Sequence, residues 1–289
     1  MTGPPGAIPR PPSAVSAVLK LSSPATREFW EIPVLFEDDD LLALDKPAGL
    51  LTSPDRYDPE RPNLMKLLHR GIAEHKPWAA ERALTYLMNA HRLDFETSGV
   101  LLLAKNKPAL VRLADLFGSE KPGKRYVALA HGQPKADRFE IDAKLAPNPM
   151  RPGRMRVDPR RGKRARTLVE VKERFSGFAL LQCEPLTGRT HQIRVHLRHV
   201  GLPLVADACY GGAALFLSRL KRDYRPKQDA AEPPLIGRVA LHAEALRLPH
   251  PVSGRPLAIH APWPKDLRVA VKYLRRYSRG SESRMEGVA

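Results

Sequence analysis

The sequence predicts an α+β fold, and three observations carry that reading. Strand-like and helix-like segments follow one another without the regular alternation of a doubly wound parallel sheet. The composition, 43% hydrophobic and 27% charged over 289 residues, is that of an ordinary globular chain, long enough for one large domain or two small ones. The special classes drop out. No apolar run approaches the roughly 18–20 residues that span a bilayer. Two cysteines, Cys183 and Cys209, cannot by themselves build a disulfide framework or a structural zinc site. A soluble, reducing, cytoplasmic setting with no membrane partner is the expectation, and no secretory h-region argues otherwise.

The elements follow in order. Residues 1–28 hold six prolines and no aromatic residue before Phe29, so a disordered Pro-rich tail is expected there. Val34-Leu35-Phe36 and Leu41-Leu42-Ala43-Leu44 flank the turn-prone Glu37-Asp38-Asp39-Asp40, which predicts two short strands about an acidic turn. Leu64, Leu67, Leu68 and Ile72 fall at helical spacing, and the run from Val100 to Ala104 reads as a buried strand. Leu110, Leu113, Ala114 and Phe117 repeat at i, i+3, i+4, i+7, a helix laid on a sheet. Tyr126 to Ala130 and Phe178 to Cys183 read as further strands. Ile193, Leu197 and Val200 share one face of a helix that Thr190 is placed to cap. A last helix is expected over 265–277, inside a domain of 29–278, with a polar tail over 279–289.

Lys and Arg total 48 against 31 Asp and Glu, a net charge of +17, which predicts attraction to polyanions but says nothing of fold. The charge concentrates in two places. Residues 151–166 carry Arg151, Arg154, Arg156, Arg160, Arg161, Lys163, Arg164 and Arg166 against Asp158 alone, and their Gly and Pro predict a flexible loop. The last helix carries Lys265, Arg268, Lys272, Arg275 and Arg276, with Arg279 beyond it. Each phosphate such groups neutralise releases counterions, giving salt-sensitive binding.

The densest unusual segment is His91-Arg92-Leu93-Asp94-Phe95-Glu96-Thr97-Ser98-Gly99. A polar loop directly before a buried strand holds its side chains on a rigid edge, a good place for a reactive group. There Asp94 can be a nucleophile, a general base or a turn residue, and Arg92 can pair with phosphate or carboxylate.

HRLDFETSGVLLLAKN, residues 91–106, resembles the signature of the RluA-type pseudouridine synthases. Other blocks resemble that family in its order: EDDDLLALDKPAG at 37–49; Lys124-Arg125-Tyr126 with Ala128 and Gly132; Lys163, Ala165 and Thr167; PLTGRTHQIRVHLRHVGLPLVADACYG at 185–211; and Leu241-His242-Ala243 with His250-Pro251. The resemblance implies a single catalytic domain with a mixed, largely antiparallel sheet flanked by helices. It also implies that the chain isomerises uridine in RNA, breaking the N-glycosidic bond, turning the uracil and rejoining it through its fifth carbon.

On that resemblance Asp94 is the essential ionised carboxylate and Arg189 its partner, a guanidinium that favours the charged form against burial. Tyr126 stacks on the uracil. Arg92 fills the space of a flipped nucleotide or holds its phosphate. Thr97, Lys124, Arg164, Arg166, His191 and Arg194 are the expected substrate-binding residues. No cofactor and no metal are expected, and the partner is RNA, ribosomal first and transfer RNA second, met by a monomer. One departure is Ala206, where the family usually has Gly, so the turn there is expected to differ. Another is the short stretch ahead of the matched region, too Pro-rich for the small RNA-binding domain many members carry.

Three rivals remain at this stage. A catalytically inactive RNA-binding protein of the same fold would lack Asp94, Tyr126 or Arg189, and all are present. A metal hydrolase built on His191, His196 and His199 lacks an acidic ligand at a recognisable spacing. A retaining glycosidase needs two carboxyl groups flanking one bond, and Asp94 with Glu96 is a weak pair for it.

Overall fold

The structure, a computed structural model, describes residues 17–55, 58, 60–225 and 231–278. The chain opens on β1 (Val18–Ser23), β2 (Glu28–Glu37) and β3 (Leu41–Lys46), followed by α1 (Leu64–Ala73), the short α2 (Pro77–Ala80) and β4 (Met88–Asn89). The centre holds β5 (Ser98–Ala104), α3 (Lys107–Gly118), β6 (Gly123–His131), β7 (Arg138–Asp142), β8 (Leu145–Pro147), β9 (Met155–Val157), β10 (Arg166–Phe175) and β11 (Phe178–Pro185). Then come α4 (Gln192–His199), a 3-10 turn (Ala208–Tyr210), α5 (Leu217–Leu220), β12 (Leu241–Pro249), β13 (Pro256–His260) and α6 (Lys265–Tyr277).

Among the described residues eleven strands form one sheet, in the order β1-β2-β3-β5-β12-β6-β11-β10-β7, with β13 on β12 and β4 on β5. Every pairing is antiparallel except β5 with β12, where His242 and Ala243 lie against Ser98 and Gly99. This is the mixed, largely antiparallel α+β sheet that the sequence implied. β5 is buried at all seven positions. Leu101 and Leu103 enter one core with α1, while Val100 and Leu102 enter another with Ala109 and Leu113 of α3. Two covered faces leave no polar alternation, hence the continuous apolar run.

Local signals explain the helices. Asn63 caps α1 by accepting from Lys66 N, and Asn106 caps α3 by accepting from Ala109 N, each at 2.9 Å. Asp38 Oδ1 accepts from the amides of Asp40 and Leu41, closing the acidic turn between β2 and β3. α6 buries Leu267, Ala270, Val271 and Leu274, one stripe of a 3.6-residue period.

Three expectations need correction. The N-terminal tail does not extend to residue 28: β1 pairs with β2 from Val18 to Ser23, and Leu19 and Leu21 are buried. Their alternation with Lys20 and Ser22 is too short to read alone, and gains meaning only against a partner strand. Residues 1–16 and 279–289, where the rest of the two tails was expected, lie outside the described residues. The basic segment 151–166 is not a free loop. β8 and β9 form a hairpin, Lys163 and Leu145 exchange backbone hydrogen bonds, and Arg154 Nη1 donates to Cys209 O at 2.9 Å. Thr190 does not cap α4. The capping position is His191 in a left-handed conformation (φ 53°), and the side chain of Gln192 turns back to accept from Arg189 N and Thr187 Oγ1.

Ala206 takes a left-handed conformation (φ 61°). An L side chain there costs about 1–2 kcal/mol, partly offset by the extra entropy a glycine loses on folding. Ala206→Gly is therefore expected to stabilise the protein by about 0.5 kcal/mol, read as a rise of about 1–2 °C in Tm.

Candidate active site

Asp94 lies in the loop between β4 and β5, and that loop is held from three sides. Thr52 Oγ1 donates to Leu93 O at 2.9 Å and accepts from Leu93 N at 3.2 Å, while Gly49 N donates to Phe95 O. Arg61 stacks over the Phe95 ring at 4.0 Å. His91 accepts from Leu102 N at 3.0 Å and stacks on Phe117. Burial, reinforced by the charge of Lys124, drops its pKa to about 3, so its ring is a neutral brace. Gly99 closes the loop with φ 114°, and a Cβ there would lie 2.2 Å from Ala243 O. Only glycine lets β5 and β12 approach in parallel at this point.

The turn after β3 is fixed by Lys46. Fully buried, it donates to Pro47 O and Leu50 O at 2.6 Å each. Burial lowers its pKa to about 7, against the opposing charge of Asp94. The blocks around residues 46 and 94 are thus one structural unit, which no local spacing reveals.

Asp94 faces a cavity of about 290 Å³ lined by the 90–94 loop, Thr97, Phe117, Lys124, Tyr126, Leu241, Pro185 and residues 187–194. Tyr126, on β6, has its phenol pushed well above the usual tyrosine range by burial and then by the negative charge of Asp94, so it stays protonated. Arg194 Nη1 lies 3.9 Å from Asp94 Oδ2, and His191 Nε2 lies 4.0 Å from the same oxygen. Arg194 is itself buried and held in a fork by Asp207, with Nε to Oδ2 and Nη2 to Oδ1 both 2.8 Å. Glu96 Oε2 stands 3.7 Å from Arg194 Nη2. Burial raises the Glu96 pKa despite that guanidinium.

The expected pair of Arg189 with Asp94 is not what the structure contains. Arg189 Nη2 lies 3.4 Å from Glu120 Oε1, and its Nε donates to Arg164 O at 3.0 Å. The left-handed turn at His191 redirects the chain, so the first turn of α4 carries Arg194 toward Asp94 and leaves Arg189 along the cavity wall. Arg92, Thr97, Lys124 and His191 also line the cavity, Arg92 exposed and Thr97 buried, and Lys124 Nζ donates to Thr187 O at 3.0 Å. Arg164 and Arg166 do not line it. Arg166 instead pairs with Glu140 and Asp142 on β7. Asp207, Tyr210 and Lys46 escaped the sequence reading, although all three sit inside the matched blocks.

The histidine set is not a metal cluster. His196 is fully buried, its Nε2 donating to Ala143 O and its Nδ1 accepting from Thr167 Oγ1, both at 2.9 Å. His191 Nδ1 is taken by Tyr210 Oη at 2.7 Å. Among the described residues no helix is long and apolar enough to cross a membrane.

Known proteins share this architecture. The chain is similar to ribosomal large subunit pseudouridine synthase D of Xanthomonas campestris pv. campestris, at 36% identity over 264 residues, covering 91% of this chain and 76% of that protein. Its counterpart in Escherichia coli strain K12 is 33% identical over 263 residues, 89% of this chain and 75% of that one. The solved structure of human RNA pseudouridylate synthase domain containing 4 superposes with a TM-score of 0.67 at 23% identity, covering 84% of this chain and 92% of that one, a likeness of fold. A family model described as RNA pseudouridylate synthase matches residues 40–199, more than half of the chain. With that match laid over the cavity-bearing sheet, the chain belongs to the RNA pseudouridylate synthase family, enzymes that isomerise uridine in RNA.

Proposed function

We propose that this enzyme converts specific uridines of ribosomal RNA to pseudouridine, with Asp94 as the reacting carboxylate. The observation that carries the residue assignment is the convergence of Asp94, Tyr126 and Arg194 on one cavity of about 290 Å³, room for one flipped base. Ribosomal RNA is favoured over transfer RNA by the names of the relatives at 33–36% identity. The enzyme acts as a monomer in the cytoplasm, where that RNA is assembled.

A uridine in folded RNA reaches a recessed carboxylate only when flipped or already unpaired, at a cost of a few kcal/mol. Arg92, exposed at the mouth, fills the vacated position or holds the displaced phosphate. Tyr126 stacks on the uracil, a contact worth about 1–3 kcal/mol per base. Arg194 takes the role first expected of Arg189: its guanidinium, 3.9 Å from Asp94 Oδ2, stabilises negative charge on the carboxylate. Arg189, Lys124, Thr97 and His191 line the base's surroundings, and Arg164 and Arg166 act outside the cavity on the RNA backbone. The carboxylate then attacks the sugar or the ring, or removes a sugar proton; the N1–C1′ bond breaks, the uracil turns, C5 bonds to C1′, and the proton on C5 leaves while N1 is protonated, so no atom is gained or lost overall.

The test is chemical mapping of pseudouridine in cellular RNA with and without the gene. Loss of a modified ribosomal position supports the proposal; loss from transfer RNA alone redirects the substrate, and no loss overturns it. A second result concerns grip. Arg151, Arg160, Arg161 and Arg164 are exposed on the arm that β8 and β9 begin. Replacing all four with Gln is expected to lower the slope of log K against log salt by about 3, from roughly 0.7–0.9 per phosphate contact. The single-turnover rate at saturating enzyme should stay within about threefold of wild type.

A further inference from the structure

We infer that Tyr210 fixes the tautomer of His191, so that His191 presents an N–H to Asp94 and acts with Arg194 to set which carboxylate oxygen reacts. The inference rests on Asp94 being the reacting group and adds two positioning residues to it.

Tyr210 ends the 3-10 turn after α4, and its ring is buried with Leu145, Ala165 and Val195. Its hydroxyl has two neighbours: Met155 N at 2.9 Å and His191 Nδ1 at 2.7 Å. A backbone amide can only donate, so the oxygen accepts from Met155. The hydroxyl's one proton then goes to Nδ1, the acceptor within reach. Burial holds the phenol protonated, with its pKa pushed up to about 12. A neutral imidazole that accepts at Nδ1 carries its proton on Nε2. That atom faces Asp94 Oδ2 at 4.0 Å, and Arg194 Nη1 approaches the same oxygen at 3.9 Å. Two N–H groups therefore lie on the Oδ2 side of the carboxylate at ion-pair rather than hydrogen-bond distance, and Oδ1 is the oxygen left to react.

Two further observations point the same way. His191 holds a left-handed backbone conformation (φ 53°, ψ 22°) and makes no side-chain cap bond to its helix, so the strain is not repaid by capping. The Tyr210 bond gives the strained residue a fixed orientation. Met155, the donor at the far end, opens β9 in the basic arm, and the preceding Arg154 is tied to Cys209 O beside Tyr210. The arm and Asp94 are joined by three consecutive contacts, so a displaced arm would disturb the carboxylate's donors.

The experiment uses the full-length enzyme on a ribosomal RNA fragment bearing its mapped uridine, under single-turnover conditions, with RNA affinity measured separately. Tyr210→Phe removes one oxygen and is expected to lower the rate about tenfold while RNA affinity stays within about twofold. His191→Ala is expected to lower the rate at least as far. Tyr210→Phe added to His191→Ala should cost less than a further twofold, because the hydroxyl acts through the imidazole. His191→Gln, which restores an N–H donor, should recover part of the loss. Independent effects that multiply, or a wild-type rate in Tyr210→Phe, overturn the inference. NMR of 15N-histidine protein gives a readout free of catalysis, with the His191 signal assigned by its loss in His191→Gln. An Nε2–H tautomer in wild type that is lost in Tyr210→Phe supports the pair, and an Nδ1–H tautomer in wild type overturns it. Full activity in Asp94→Asn would instead overturn the role of Asp94, so the two failures are distinguishable.

Discussion

Asp94→Asn is expected to lower single-turnover pseudouridine formation by at least about 10³-fold, a barrier increase of roughly 4 kcal/mol or more. RNA affinity should stay within a few-fold of wild type. The side chains are nearly isosteric, so cavity shape, the Thr52 and Gly49 contacts to the loop and the Tyr126 face all persist. What disappears is the negative charge and the lone-pair basicity that attack or proton removal requires. The neighbouring donors then turn against the variant: Arg194 and His191 both approach the oxygen at position 94, and an amide that presents its NH2 there meets donor with donor. Restoring the gene as Asp94→Asn in a deletion strain should leave the mapped ribosomal position unmodified. Modification by that variant would remove Asp94 from the chemistry.

Arg194→Met is expected to damage both stability and catalysis, and a second substitution separates the two. Asp207 is fully buried and both its oxygens are held by Arg194 at 2.8 Å. Removing the guanidinium strands a buried carboxylate, at a cost of about 3–5 kcal/mol. At roughly 2–4 °C per kcal/mol for a chain of this size, Tm should fall by about 6–20 °C. Asp207→Leu in the same protein removes the stranded charge and should recover most of that Tm. It cannot return a cation to Asp94, so the double variant should remain at least about 10²-fold slow. Recovery of both stability and rate would limit Arg194 to a structural role. Arg194→Lys retains charge but loses the planar fork and should fall between the two.

Much of the fold was legible because its signals are local. The helical spacing of Leu64 to Ile72 and of Leu110 to Phe117, the helix over 265–277 and the apolar run of β5 depend on neighbours within a turn or a strand, and the structure contains each of them. The catalytic loop was legible by resemblance, since its residues are contiguous from 91 to 99. β1 was missed because two alternating leucines carry too little pattern to outweigh a Pro-rich surrounding. The basic segment read as free loop because its hairpin is only three residues per strand and is held by long-range bonds to Leu145 and Cys209.

The arginine beside Asp94 marks the boundary most clearly. Arg189 and Arg194 lie five residues apart in one block, chemically identical, and either could pair with a carboxylate. The sequence by itself determined the α+β class, the family, the polyanion partner and the loop that bears Asp94. Tertiary structure alone decided which guanidinium faces that loop, that Asp207 and Tyr210 stand behind it, and that Lys46 braces the turn beneath. The physical reason is that periodicity and capping are set by interactions a few residues apart. The direction of a side chain across a cavity depends instead on backbone turns such as the left-handed His191 and on pairings such as β5 with β12, which join residues more than a hundred positions apart.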